Sequence, residues 1–253
     1  MIKMVVSSFY NALIDKEEAI PTSTMLEIER IRKKGILFSV CTNRLYQEVL
    51  DYNKDFPFLD YIISLNGSYI YDVAKDKCLQ QNKLTSSTTK KIAKIYEGYP
   101  IYFYTEQEVL KSLEEVGEKS IYKIEVELKD IKDIKKIQKL NVESSIFQYQ
   151  EKKYLEITSH KSSMFSGVDQ VSLKTGTNLK EIVAICSNES DYSLVKNITR
   201  SYIVENSCEK LKKATKRITS SNDNKGVENI LKRIKYRRGQ RQSADGEYAR
   251  GSR

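Results

Sequence analysis

Residues 36–42, ILFSVCT, form a nearly continuous apolar run, and that run limits the folds open to this chain. A strand with one wet face alternates apolar and polar side chains. A strand covered on both faces does not, and double cover is the habit of parallel sheets. The preceding residues fit that architecture. Residues 22–34 (TSTMLEIERIRKK) place Met25, Ile28 and Ile31 at helical spacing, with Leu26 beside them. Pro21 stands where the helix can begin and Gly35 where it can end. Residues 3–7 (KMVVS) read as an earlier strand running into a loop at 8–12. Strand, helix and strand in this order make a right-handed βαβ unit.

The pattern continues with a helix over 45–53, a strand over 60–65 (DYIISL), a turn at Asn66-Gly67 and a returning strand over 69–73. Near Leu84 the style changes. A helix is predicted over 85–97, an aromatic strand over 100–105, a second helix over 106–116 and an alternating, half-exposed strand over 121–128 (IYKIEVEL). Ile131, Ile134 and Ile137 predict an amphipathic helix over 129–140, and residues 145–150 and 153–158 a closing antiparallel pair. After Ser159 the first style resumes. Helices are predicted over 165–175, 191–197, 207–215 and 224–234, with strands over 181–186 (EIVAIC), 201–205 and 217–220. The chain thus reads as α/β. A doubly wound, Rossmann-like parallel-sheet core takes residues 1–83 and 159–236, and a small α+β insert takes 84–158. In open α/β sheets sites form at the carboxyl ends of the strands. Those ends carry Ser8–Asn11, Thr42–Arg44, Asn66-Gly67 and Ser187–Asp191, and the insert would lie over them as a lid.

Composition narrows the function classes. Hydrophobic residues are 40% and charged residues 30%, enough for a core and a well-solvated surface. No apolar run approaches the length that spans a bilayer, and the N-terminal run breaks at Ser7, too short for a signal peptide. Cys41, Cys78, Cys186 and Cys208 are scattered without a CxxC, as in reduced thiols of a cytoplasmic protein. The net charge of +9 is mostly local: from Lys232 onward eight basic residues face two acidic ones. The tail, 237–253, is polar and reads as disordered, and nucleic acid is a partner only through it.

Several phrases, in order, resemble the haloacid dehalogenase superfamily, and within it the Cof-like branch of capped phosphatases. KMVVSSFYNALID is similar to the family's strand and Asp-x-Asp-Gly-Thr loop. ILFSVCTNR is similar to its strand ending in Thr-Gly-Arg, and IISLNGSYIYD to its Asn-Gly-Ala turn. IVAICSNESDYSLVKN is similar to its Gly-Asp-x-x-Asn-Asp loop, and ITSSNDNKGVENIL to its C-terminal strand, loop and helix. The insert is shorter than is usual for this branch.

The resemblance implies a magnesium-dependent phosphatase site, and this chain departs from it. The nucleophilic aspartate falls at Ser8 and the acid-base aspartate at Tyr10. The glycine and threonine after them fall at Asn11 and Ala12, the lysine at Met164 and a magnesium-binding aspartate at Ser187. Thr42, which would hold the phosphoryl group, Arg44 and the distal aspartate, Asp191, are kept, and a glycine falls at Asn43. Magnesium favours hard carboxylate oxygens, and Asp191 alone supplies few. A serine nucleophile needs a base, and the single histidine, His160, stands apart from the loops in sequence. Tyr10 is expected to fill the volume of metal and phosphate. The expectation is a catalytically inactive homologue with no cofactor, binding a partner protein or a small phosphorylated ligand near Thr42, Asn43, Arg44 and Asn66. The alternative is a sugar-phosphate or nucleotide phosphatase with non-standard residues, and Mg2+ if that holds.

Overall fold

A computed structural model describes residues 1–54 and 56–235, so the reading of a disordered basic tail lies outside the described residues. The chain opens with strand β1 (Met4–Ser8), helix α1 (Thr22–Arg32), strand β2 (Leu37–Cys41), helix α2 (Tyr46–Asn53) and strand β3 (Tyr61–Ser64). An antiparallel return follows as β4 (Tyr69–Asp72) and β5 (Lys77–Gln81). The intervening residues build α3 (Ser86–Ile95), β6 (Ile101–Tyr104), β7 (Val109–Leu110), α4 (Leu113–Val116), β8 (Lys123–Glu127), β9 (Val142–Tyr149) and β10 (Lys152–Ser159). The first style then returns as α5 (Met164–Thr175), β11 (Ile182–Cys186), α6 (Tyr192–Asn197), β12 (Ser201–Val204), α7 (Glu209–Ala214), β13 (Ile218–Thr219) and α8 (Gly226–Arg233).

The larger sheet has eight strands in the order β13-β12-β11-β1-β2-β3-β4-β5. β1 lies between β11 and β2 and is parallel to both, with Met4 opposite Ile182 on one side and Leu37 on the other. The apolar character of β1, β2 and β11 follows from this central place. Phe38, Val40, Val5 and Ile185 point into one apolar cluster, and Val6, Cys41, Ala184 and Cys186 into the other. The chain leaves β1 toward β2 and later fills the opposite side through β11, so a topological switch lies between β1 and β11. That is where such sheets open a crevice at their carboxyl ends.

The second sheet has the order β7-β6-β8-β10-β9. One of its faces packs Phe103, Ile124, Val126, Leu155 and Ile157 with Ile92 and Tyr96 of the α3 region. The opposite face carries Tyr104, Lys123, Glu125 and Glu156 and meets the large sheet's strand ends.

Two helices expected in this part are not formed. Over 106–116 the Thr105 hydroxyl accepts from the amides of Gln107 and Glu108 and turns the chain into the β6–β7 hairpin. Only the single turn α4 remains, ended by Gly117 at φ 48°. Over 129–140 the chain forms a 3-10 stretch, Ile131–Ile137, capped by Asp130 and Asp133. The spacing of Ile131, Ile134 and Ile137 matches three residues per turn as well as 3.6. The Tyr96 hydroxyl also takes the Asp133 carbonyl at 2.9 Å. β5 was not foreseen and extends the large sheet as an antiparallel edge. Among the described residues no helix is long and apolar enough to cross a membrane.

Candidate functional site

The loops after β1, β2, β3 and β11 converge at the crevice, and local chemistry fixes each one. After Ser8 the chain makes one wide turn, Phe9–Leu13, in which Asn11 takes a left-handed φ of 61°. Asparagine tolerates that conformation better than most residues. The turn is tied to the loop after β11: the Ser187 hydroxyl donates to the Tyr10 carbonyl at 3.0 Å and the Asn11 amide to Asn188 Oδ1 at 3.2 Å. The turn after β3 puts Asn66 at φ 56° and Gly67 at φ 84°. A Cβ on Gly67 would lie 2.0 Å from the Ser163 carbonyl, so this turn sits directly against the start of α5.

Ser8 and Asp191 are brought together. The Ser8 hydroxyl donates to Asp191 Oδ2 at 2.6 Å, within the range of a charge-assisted O–H···O bond. The same oxygen accepts the amides of Ser187 and Asn188, each at 2.9 Å. Ser8 is 2% and Asp191 1% exposed. Burial raises the Asp191 pKa above the usual carboxylate value, against the opposing pull of these three hydrogen bonds. Met164 begins α5 and is buried in the apolar cluster with Val6, Cys41 and Cys186, leaving no cation at that place.

Tyr10 does not fill the crevice. Its backbone is extended (φ −76°, ψ 144°) and its ring turns onto α2. There it stacks under the Arg44 guanidinium at 4.1 Å, with its hydroxyl 3.5 Å from Glu48. Burial pushes its phenol up to about 12. Arg44 follows it, pairing with Glu48 at 3.4 Å, and the Thr42 hydroxyl accepts the Arg44 amide at 3.1 Å. His160 and Lys161 are both exposed.

Two residues that sequence reasoning missed occupy the middle of the crevice. Glu156 of β10 accepts from Asn43 Nδ2 at 2.8 Å, Asn66 Nδ2 at 3.0 Å, Lys123 Nζ at 3.1 Å and Ser145 Oγ at 3.2 Å. Lys123 of β8 also meets Glu125 at 3.0 Å and the Tyr104 ring at 3.9 Å. Lys123 and Glu156 are each 1% exposed. Burial works against the Lys123 charge, but Glu156, with Tyr104 and Glu125, more than offsets it and holds the ammonium above its usual pKa. The cap thus plants a carboxylate on the side-chain amides of Asn43 and Asn66. In the sequence the alternation of Lys123 and Glu125 with Ile124 and Val126 signals only a polar sheet face, not that the core covers it.

The residues do not fit a magnesium ion. Asp191 Oδ2 already carries three donors, Ser8 directs its proton at it, and Ser187 spends its hydroxyl on Tyr10. Among the described residues no group of three or more His, Cys, Asp or Glu side chains could hold a metal.

The order of the large sheet, the cap between β5 and α5, and loops meeting where β1 and β11 separate have counterparts in known proteins. The HAD subclass IIB sugar phosphatase BT4131 superposes with a TM-score of 0.81 at 18% identity, over 91% of this chain and 98% of that one. A haloacid dehalogenase-like hydrolase from B. subtilis gives 0.83 at 15% identity, over 92% and 100%. A Buchnera aphidicola protein, provisionally named phosphatase BU028/BU029, is 24% identical over 92% of this chain and 97% of its own length. A model of the haloacid dehalogenase-like hydrolases matches residues 11–112 and 103–231. That match takes in the loops after β2, β3 and β11 as well as the cap, and the chain belongs to the haloacid dehalogenase-like hydrolase family.

Proposed function

We propose that this protein is a non-catalytic member of its family that works by binding a small ligand in the crevice between cap and core. One observation carries the reading. The hydroxyl standing where the resemblance puts the nucleophile, and the carboxylate it retains, are bonded to each other at 2.6 Å inside the protein. Phosphoryl transfer needs charge preorganised against the transferring group. Here Asp191 faces Ser8 and two amides, Arg44 faces Tyr10 and Glu48, and position 164 holds a buried methionine. With Mg2+ present, turnover of p-nitrophenyl phosphate and a sugar-phosphate panel should not rise above background. Turnover that disappears in Ser8→Ala overturns the proposal.

The Ser8–Asp191 bond also favours a second reading, a sugar-phosphate or nucleotide phosphatase with Ser8 as nucleophile and Asp191 as its base. A carboxylate whose pKa is raised by burial is the better proton acceptor. Against it, Ser8 is 2% exposed, and Glu156 stands in the crevice as a competing anion. The same assay separates the two.

A further inference from the structure

The Glu156 contact divides the space between cap and core. Glu156 and Asn66 line a cavity toward α5, whereas Asn43 and Lys123 line a second one toward α2. This second cleft has a volume of about 400 Å³, and its walls include neither Ser8 nor Asp191. Five aromatic side chains line it from the cap: Tyr102 and Tyr104 of β6, Phe147 and Tyr149 of β9, and Tyr154 of β10. Strand alternation gathers them, because they neighbour Phe103 and Leu155, which point to the opposite, buried face. Phe147 and Tyr154 are direct cross-strand partners with ring centroids 6.4 Å apart. All five rings keep open surface: Tyr149 is 53% exposed and the other four are half-buried.

The core faces these rings with Arg44. Its guanidinium lies over the Tyr10 ring at 4.1 Å, yet its side chain is still 41% exposed. A guanidinium is planar and stacks on aromatic faces. Tyr10 takes one of its faces, and Arg44 lines the cleft with what remains.

The charges select further. Three cations and two carboxylates line the cleft: Arg44, Lys111 and Lys123 against Glu48 and Glu125. Arg44 pairs with Glu48 at 3.4 Å and Lys123 with Glu125 at 3.0 Å. Lys111 is exposed, and its ammonium has no ion-pair partner among the described residues. An occupant with one negative charge completes this set. A sugar suits the cleft less well, because the groups that would read its hydroxyls are already engaged. Glu48 holds Arg44, and Glu125 holds Lys123 and the Tyr104 hydroxyl at 3.1 Å.

We propose that this cleft binds a planar aromatic compound with a single negative charge, its ring between Arg44 and the aromatic side chains of the cap and its acidic group on Lys111. The proposal rests on the reading that the protein binds a ligand between cap and core, and it names the class of that ligand.

Three probes titrated separately into the full chain by calorimetry test it: 2-naphthoate, its uncharged amide, and decahydro-2-naphthoate, which keeps the charge and loses the flat ring. 2-Naphthoate should bind saturably, about 5- to 10-fold more tightly than decahydro-2-naphthoate, the scale of a cation–π contact with a ring–ring contact. It should exceed the amide by about 2- to 5-fold, the scale of an exposed ion pair. Lys111→Gln should erase the preference over the amide and keep the wild-type Tm, since its ammonium has no ion pair to lose. Phe147→Leu keeps apolar bulk while removing a ring, and should weaken 2-naphthoate by about 2- to 10-fold. No saturable binding of 2-naphthoate overturns the inference. So does decahydro-2-naphthoate binding as tightly, or a preference over the amide that survives Lys111→Gln. None of these results touches the non-catalytic reading, which falls only to turnover.

Discussion

Removing the Glu156 carboxylate should cost more than any other single side-chain truncation in the crevice. In Glu156→Ala, Lys123 keeps one carboxylate, Glu125 at 3.0 Å, while Asn43 and Asn66 each lose an acceptor. Glu156 and Lys123 are each 1% exposed, so solvent does little to screen the loss. Breaking a buried pair from one side typically costs about 3–5 kcal/mol, because the remaining charge stays desolvated. Against a net stability of about 5–15 kcal/mol that is a large fraction. Urea denaturation at pH 7 measures it. Lys123→Met with Glu156→Leu should recover most of the loss, since an apolar pair of similar size costs no ion desolvation. The double variant still lacks the carboxylate on Asn43 and Asn66. Hydrogen exchange in β9 and β10 should therefore stay faster than in the wild type even though stability returns. The sign of the pH dependence is a further check. The wild-type Lys123 pKa is raised, so its contribution is fully present below the ordinary lysine value of about 10.4 and is lost only above it. In Glu156→Ala burial dominates and lowers that pKa, so the deficit should shrink as pH rises from 7 toward 10. A loss below about 1 kcal/mol in Glu156→Ala would refute the reasoning, as would a double variant no more stable than the single one.

Asp191→Asn tests a second buried carboxylate, the one beside Ser8. The folded Asp191 pKa is raised, so the folded state binds the proton more tightly, and stability should fall as pH rises from about 4 through the raised value. Asn can still accept the Ser8 hydroxyl and both amides through its oxygen, so the variant should lose that slope and match or exceed wild-type stability at pH 7. An unchanged slope in thermal denaturation would contradict it. Gly67→Ala should destabilise by about 3 kcal/mol or more through overpacking and strain. The added Cβ meets the Ser163 carbonyl at 2.0 Å on a residue at φ 84°. A Tm within a few degrees of wild type would show that the turn and α5 can separate.

Much of the core was legible because double burial leaves an unambiguous pattern. The runs that became β1, β2 and β11 are apolar throughout, and Gly35 and Gly176 mark helix ends at φ 75° and 65°. The meeting of Ser8 and Asp191 was legible in outline, since adjacent parallel strands put their following loops side by side. The polar face of the cap was not. Periodicity says which residues share a face, but not what covers that face. Lys123 and Glu156 alternate with isoleucine, leucine and valine as wet residues would, yet the core's amides enclose them. Tyr10 misled for a related reason. Sequence places it in the right loop, while the extended backbone at that residue sends its ring to Arg44.

Four charges at the crevice each have a partner inside the chain. Asp191 has Ser8, Glu156 has Lys123 and two amides, Arg44 has Glu48, and Lys210 has Glu189. A site that takes a phosphoryl group with a metal ion must hold unmatched charge until they arrive, and that costs stability in the empty protein. A crevice that balances its own charges has no such cost and little to offer an ion. Positions 8, 10, 164 and 187 are all uncharged, so none of them adds an unmatched charge to the crevice. Removing only the carboxylates would leave a buried lysine unpaired at 164, and removing only the lysine would leave clustered acids.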